Sequence, residues 1–510
     1  MLSKKCFALF CALFFVPLMA GAERPNILFI IADDLNDFVG VMNHGSGVRT
    51  PNIDRLAENA AVFTNAHANA PVCAPSRASL FSGIYPHVSG QYLFTHWRKN
   101  EMLANSYMLM EKLGGAGYHT AGVGKLLHHG APLLWGEFGS RGFDYSPLAY
   151  DGERSVAHPQ VPVPYGERII PIEGTFIRLS RVPKTKGAKG WWYEGSKERF
   201  DYVDEGDRSL LPDEQYAGWA VARIEEWGRK PLGKPFFLAV GFVRPHAPLV
   251  VPDEYFDMFP LGGITVPPQG EGEGRYFEEV WKPRAMSKGR VYYEMLLQSF
   301  GGDRSKALKA YYQAYLASIA FMDAQLGRVL DALEGSPYRD NTIIVFTSDH
   351  GYHLGERGYL YKNNLWERST RVPLIIYDPR NKKQKRIGEA VSLVDLYPSF
   401  LEMAGVKGRI RKNEKGGVLS GESLVPLIRG GWWKKRGRVA LTALKRVRED
   451  SPPSFALRTK EWRYILYGTG GEELYHHPSD PKEERNLVGV GEYRGVHKKL
   501  RRKLLSITTK

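Results

Sequence analysis

Hydrophobic residues fall in short continuous runs along the chain, and each run gives way to a polar cluster. Residues 25–32 read Pro-Asn-Ile-Leu-Phe-Ile-Ile-Ala, the pattern of a strand buried on both faces, and stop at Asp33-Asp34. Further strands are predicted over 119–123, 236–242, 342–347 and 374–377. Helical spacing takes over at Thr50-Pro51, with Thr50 as the cap, Pro51 in the first turn and Ile53, Leu56, Ala57 and Ala60 along the apolar face. Residues 311–333 predict one long helix. Strands alternating with helices imply an α/β fold with a mostly parallel sheet covered on both sides.

The polar clusters that follow the strands are Asp33-Asp34, Gly124-Lys125, Arg244-Pro245-His246 and Ser348-Asp349-His350. Ligands of open α/β sheets bind beyond the carboxyl ends of the strands, so these clusters are predicted to meet on one edge. Polar residues that merely terminate strands would explain any one of them. They explain poorly a set of four so rich in ligands and acid-base groups. The stretches 144–215 and 260–305, rich in Pro, Gly and charge, predict long excursions over that edge. Residues 407–417 and 430–437 read as a passage into a smaller C-terminal unit, where 454–457 and 463–467 predict short antiparallel strands ahead of a basic terminal helix. The domain boundaries this implies are a leader over 1–22, a catalytic domain over 23–432 and a subdomain over 433–510.

Composition adds a compartment. Lys4 and Lys5 precede an apolar run over 6–18 that ends at Ala20-Gly21-Ala22, the layout of a cleavable signal peptide. That run is shorter than the ~20 residues a bilayer span needs, so the mature protein is expected in the periplasm or outside the cell, with no membrane span. Of three cysteines, Cys6 and Cys11 fall in the leader, and Cys73 is left alone. A solitary thiol in an oxidising compartment calls for an explanation. Burial as a small hydrophobe is the plainest one. The 510 residues, 43% hydrophobic, suffice for one large core and a smaller one, and the net charge of +15 attracts polyanions. Export argues against nucleic acid, and charge alone does not choose among acidic polysaccharide, membrane headgroups and a basic face that is simply solvated.

Cys73-Ala74-Pro75-Ser76-Arg77 runs into the helical pattern of 78–83, which puts Cys73 at a helix N-terminus, where backbone N–H groups favour an anion. The segment Cys73-Ala74-Pro75-Ser76-Arg77-Ala78-Ser79-Leu80-Phe81-Ser82-Gly83 resembles that of type I sulfatases, in which the cysteine is oxidised to formylglycine by a dedicated generating enzyme. Asp33-Asp34, Gly124-Lys125-Leu126-Leu127-His128, Pro245-His246, Ser348-Asp349-His350-Gly351 and Lys362 match landmarks of the family in the same order. Arg244-Pro245-His246-Ala247-Pro248, the segment from Asp349 to Glu356 and Trp97-Arg98 most resemble the iduronate-2-sulfatase branch and its bacterial relatives.

This resemblance implies an alkaline-phosphatase-like sandwich with a small C-terminal antiparallel sheet. It implies that Asp33, Asp34, Asp349 and His350 hold one Ca²⁺, with Mg²⁺ the alternative, together with the oxygen that replaces the Cys73 sulfur. Crowded carboxylates repel one another without a cation, which agrees with a metal. By the same resemblance Arg77 and Lys125 hold the formylglycine, His128 takes a proton from it, and His246 and Lys362 bracket the sulfate, one of them protonating the departing sugar oxygen. A hydrated aldehyde at residue 73 is a better nucleophile than a serine hydroxyl at neutral pH. Two other readings stay open: a phosphonate or phosphodiester hydrolase of the same superfamily, and an inactive glycan-binding relative. The sequence assigns no role to His129, His353, Trp97 or Arg98, and it does not choose the sugar.

Overall fold

The computed structural model describes residues 24–509 except 43–46, 141, 186–187, 269–287, 382–383, 431–436 and 446–451. The predicted leader and the predicted boundary at 432 lie outside the described residues. Eight strands form the path of the main sheet: β1 (Asn26–Asp33), β2 (Ala61–His67), β3 (His119–Gly124), β4 (Glu137–Phe138), β5 (Phe236–Pro245), β6 (Thr342–Ser348), β7 (Arg371–Tyr377) and β8 (Lys385–Ile387). Their order is β8-β2-β7-β6-β1-β5-β3-β4, and Val391–Ser392 adds a ninth short strand beside β2. Only β7 runs against the others.

All eight residues of β1 are buried, and they alternate between two cores. Leu28, Ile30 and Ala32 face one, and Ile27, Phe29 and Ile31 face the other. Helices α1 (Pro51–Ala57), α2 (Cys73–Ser82), α3 (Pro212–Arg229), α4 (Arg304–Glu334) and α5 (Leu396–Met403) divide between these faces, α2 and α5 on the second and the rest on the first. The 31-residue α4 starts at Asp303, whose side chain accepts from Lys306 N. Thr50 does stand at the N-cap of α1, but its hydroxyl makes no capping bond; it accepts from Gly40 N at 2.8 Å and ties the helix to the turn after β1.

Register sets the strand ends level. Asp33 pairs beside Pro245 and Ala32 beside Ser348, so the polar residues after β1, β5 and β6 emerge together. Because β7 is antiparallel, its first residue Arg371 lies opposite His67 at the end of β2, which brings the segment before β7 to the same edge. At the junction of β3 and β5, a Cβ on Gly124 would lie 2.2 Å from Gly241 O, and Gly124 has φ +76°. Glycine there lets Lys125 turn inward from the end of β3.

The 144–215 excursion is more ordered than its composition predicts. Leu148–Tyr150, Ser155–Val156, Trp191–Trp192 and Arg199–Phe200 form a four-stranded sheet in which Trp191 has no exposed surface, and Tyr165 is equally buried against Phe176, Tyr292 and Tyr311. Aromatic burial supplied what a count of Pro and Gly does not register. At the C-terminus, β9 (Ala440–Leu444), β10 (Ser454–Arg458), β11 (Trp462–Leu466) and β12 (Glu472–His476) form an antiparallel sheet in chain order, packed by Leu500 and Leu504 of α6 (Arg494–Thr508). Thr442 Oγ1 donates to Ala68 O at 2.6 Å and Ala443 N to Asn69 O at 2.9 Å, so this sheet braces the turn leading into α2.

Candidate active site

Helix α2 begins at Cys73 itself, with Pro75 in its first turn and Gly83, at φ +70°, as its left-handed C-cap. Cys73 is 2% exposed. Its Sγ lies 3.2 Å from His350 Nε2 and 3.4 Å from Lys362 Nζ. One turn along, Arg77 reaches across the sheet edge: Nε donates to Asp349 Oδ2 at 2.8 Å, Nη2 to Ala32 O at 3.1 Å, and Nη1 to Lys125 O. Lys125 Nζ pairs with Asp33 Oδ2 and donates to Tyr145 OH at 2.8 Å. Lys362 Nζ is bound to both oxygens of Asp34.

Asp34 adopts φ +64°, a left-handed conformation uncommon outside glycine. Asp349 Oδ1 accepts its N–H at 3.2 Å, and Tyr315 OH on α4 donates to its carbonyl at 2.7 Å. His350 N also donates to Asp349 Oδ1, at 2.9 Å. Three carboxylates thus meet three cations, Arg77, Lys125 and Lys362, all essentially without solvent. The chain therefore brings counter-charges of its own to the crowded acids.

Two observations nevertheless fit a divalent cation. Asp33, Cys73, Asp349 and His350 offer ligand atoms all within 4.8 Å of one another, and Asp34, Cys73 and His246 form an overlapping group. Asp33 Oδ1 is buried without a hydrogen-bond partner among the described residues. Asp33, Asp34 and Asp349 supply carboxylate oxygens, which suit a hard ion, beside residue 73 and the two histidines. His350 Nδ1 lies 3.1 Å from Gly351 O, an acceptor only, so the proton sits on Nδ1 and Nε2 presents a lone pair toward residue 73.

The adjacent aspartates are driven apart. Burial alone would raise Asp33, but Lys125, then His246, Arg77 and Lys362, outweigh it and hold the carboxyl well below its usual range. At Asp34 burial prevails over Lys362 and His350, with Asp33 and Cys73 adding to it, and the carboxyl is pushed up to about 8. Burial, reinforced by Asp33, pushes the Cys73 thiol up to about 11, so the unmodified side chain is no nucleophile at neutral pH. Burial and then Lys362 keep His246 neutral; its Nδ1 donates to Ala247 O at 2.6 Å, leaving Nε2 as an acceptor 3.7 Å from Asp34 Oδ2. Lys362 stays protonated because Asp34, followed by Cys73, overrides the opposing effect of its burial.

Of the ten residues that the sequence picked, nine stand in this connected cluster. His128 sits beside it without a hydrogen bond to it: its Nδ1 is buried and unpartnered among the described residues, and its ring packs 5.7 Å from that of Phe143. Burial, with Lys125 and His129, pushes it down to about 2. His353 lies away from the cluster, its Nδ1 2.8 Å from Ser369 Oγ, and Trp97 is buried in the core on the α2 side. Sequence reasoning passed over Tyr145, Tyr315 and Asp213. Tyr145 stacks on His246 with ring centroids 4.6 Å apart, and Asp213 at the start of α3 accepts from Val243 N at 2.7 Å and Arg244 N at 2.9 Å. Tyr315 reads as part of the apolar face of a long helix and Tyr145 as a loop aromatic, so neither carried a signal. A third acid and histidine group, Glu367, His477 and Glu483, is satisfied by Arg458 and Arg463 and joins the C-terminal sheet to the segment before β7.

A mostly parallel sheet whose carboxyl edge gathers buried acids, cations and a helix-borne residue 73 defines an ester hydrolase of the alkaline-phosphatase-like fold. The family model described as sulfatase matches residues 25–406, and one described as N-sulphoglucosamine sulphohydrolase, C-terminal, matches residues 355–510. The chain belongs to the sulfatase family and is a sulfuric ester hydrolase. A protein named sulfatase from Formosa agariphila is 34% identical over 467 residues, 90% of this chain and 82% of that one. The iduronate 2-sulfatase of Mus musculus is 32% identical over 363 residues, 71% of this chain and 60% of its own. Among solved structures, a phosphonate monoester hydrolase of Agrobacterium radiobacter superposes with a TM-score of 0.67 at 23% identity, covering 95% of this chain and 96% of its own, a likeness of fold. No helix among the described residues is long and apolar enough to cross a membrane.

Proposed function

We propose that this sulfatase is exported, that a formylglycine-generating enzyme oxidises Cys73, and that the matured protein removes sulfate from a sulfated carbohydrate. The observation that carries this reading is the meeting of Cys73 Sγ, at the first residue of α2, with His350 Nε2 at 3.2 Å and Lys362 Nζ at 3.4 Å inside the ring of Asp33, Asp34 and Asp349. Asp33, Asp34, Asp349 and His350 would hold Ca²⁺, or Mg²⁺ in its place. Together a hydrated aldehyde and a divalent cation supply a nucleophile competent at neutral pH and a counter-charge for the sulfate oxygens.

The remaining roles belong to the side chains present. Arg77 and Lys125 fix the carboxylates and stay cationic, so charge developing on the sulfate meets preorganised compensation. His128, whose buried ring nitrogen has no partner among the described residues, is the candidate to accept a proton from residue 73; burial and Lys125 oppose its protonation, and a bound sulfate would offset that opposition. Lys362 is the better candidate for protonating the departing oxygen, because His246 keeps its one proton on Nδ1 for Ala247 O. The net charge of +15 and the relative named iduronate 2-sulfatase support an anionic glycan as substrate. The test is a panel of defined sulfated oligosaccharides alongside matched phosphate and phosphonate esters. Preference for the sulfated glycans is expected, and faster turnover of the phosphorus esters overturns the assignment.

A further inference from the structure

His129, Trp97 and Arg98, to which the catalytic reading gives no part, lie on a continuous run of aromatic rings leading out of the site. From the cluster outward, Tyr145 stacks on His246 at 4.6 Å, Phe143 meets Tyr145 at 5.3 Å, and His128 meets Phe143 at 5.7 Å. There the run forks. One branch is Phe94, 5.0 Å from His128; the other is His129, also 5.0 Å from His128, followed by His96 at 4.9 Å and Trp97 at 5.9 Å. The Arg98 guanidinium caps the second branch, 5.1 Å from the Trp97 ring. Because Lys125 Nζ is 5.1 Å from Phe143, the Phe94 ring lies no more than about 16 Å from the ammonium that pairs with Asp33.

Two features of this outer end call for a ligand. Phe94 is 50% exposed, a large apolar ring held in water at the outer end of this run. It is held there firmly: Gln91, nearly buried, donates from one amide nitrogen to Leu93 O at 3.0 Å and Thr95 O at 2.5 Å, pinning the carbonyls on either side. Arg98 and Lys99, four and five residues further along the chain, are exposed and form no ion pair with any described residue. His96 accepts the Arg98 N–H on Nδ1 at 3.1 Å, which keeps the ring proton on Nε2 as a donor. A flat apolar face, an imidazole N–H and uncompensated cations match a sugar ring that presents C–H bonds on one face and carries hydroxyl and acidic groups at its edge.

We propose that Phe94, His96 and Arg98 form a subsite for the sugar next to the one that loses its sulfate, so that the enzyme prefers anionic oligosaccharides over single sulfated sugars. Phe94 packs on the face of that sugar, and Arg98, helped by Lys99, holds its carboxylate or second sulfate. This rests on the glycan-sulfatase reading above.

The test compares matured wild-type, Phe94→Ala and Arg98→Gln enzymes on 4-nitrophenyl sulfate and on sulfated glycosaminoglycan monosaccharide, disaccharide and tetrasaccharide. Both side chains are exposed, so neither change is expected to shift the melting temperature. Wild-type kcat/KM should rise from monosaccharide to disaccharide. In each variant the ratio of kcat/KM on the disaccharide to that on 4-nitrophenyl sulfate should fall by about tenfold, through KM rather than kcat. Added salt should erode the wild-type preference and leave that of Arg98→Gln less affected. Variants that keep the wild-type ratio overturn the subsite while leaving the glycan reading intact. A wild type that cleaves the aryl sulfate and none of the glycans overturns both.

Discussion

Lys362 Nζ donates to both carboxylate oxygens of Asp34, at 2.8 and 2.9 Å, and joins the hairpin after β6 to the end of β1 across 328 residues of chain. Removing it takes away the main charge opposing the burial-driven rise of Asp34, which then stays protonated and loses two hydrogen bonds. Lys362→Met is expected to cost about 1 to 3 kcal/mol of folding stability, read from urea denaturation, and to lower kcat by about 100-fold or more. Near-wild-type turnover would show that Lys362 serves the fold alone.

Cys73→Ala should reduce sulfate release to background while the protein keeps its melting temperature within a few degrees, since the change removes one small buried atom beside α2. Mass spectrometry of the peptide spanning residue 73 of the wild type should show the aldehyde in place of the thiol. Full activity in a preparation whose Cys73 is wholly thiol would refute the proposed nucleophile.

His128 is pushed down to about 2 by burial, Lys125 and His129, so it is neutral in the resting site, and the proposed role has it accept a proton only during turnover. His128→Gln is expected to lower kcat by about 10² to 10⁴ at every pH tested without moving the acid limb of the profile. A displaced acid limb in the variant would mean that the histidine titrates during turnover.

Dialysis against a chelator should remove activity and lower the melting temperature, with Ca²⁺ restoring both more completely than Mg²⁺. At a free ion concentration a hundred times Kd the native state gains about 2.7 kcal/mol by mass action. Identical melting with and without chelator would argue that Arg77, Lys125 and Lys362 balance the acids unaided.

Glu367 and Glu483 are buried against arginines of the C-terminal sheet, and Arg463 Nε faces Glu483 Oε1 at 2.6 Å. Burial would raise both carboxyls, but Arg458 and His477 at Glu367, and Arg463 and His477 at Glu483, hold them below the usual value. Depressed acids stabilise the fold above their unfolded value, about 4.3, and that contribution disappears as pH falls through the folded values. Denaturation midpoints should therefore drop steeply below about pH 4.5, and Glu367→Gln should flatten the slope. Arg463→Met should cost about 3 to 5 kcal/mol at neutral pH.

The sequence by itself determined the large α/β sheet, because a strand buried on both faces must be apolar throughout, as β1 is from Ile27 to Ala32. It also marked the edge where chemistry gathers, since Asp33, Lys125, His246 and Asp349 each follow such a run. Three things waited for the tertiary structure. The antiparallel course of β7, which brings Lys362 home, depends on pairing between distant segments that no local pattern encodes. The order within residues 144–215 comes from buried aromatics such as Trp191, whose partners His158 and Leu179 stand 33 and 12 residues away in the chain. The opposite displacement of Asp33 and Asp34, identical in kind and adjacent in chain, arises because one carboxyl faces Lys125 while at the other burial prevails over Lys362. Hydrophobic periodicity is a local property and is written in the sequence, whereas dielectric surroundings and charge partners are set by what folding places alongside.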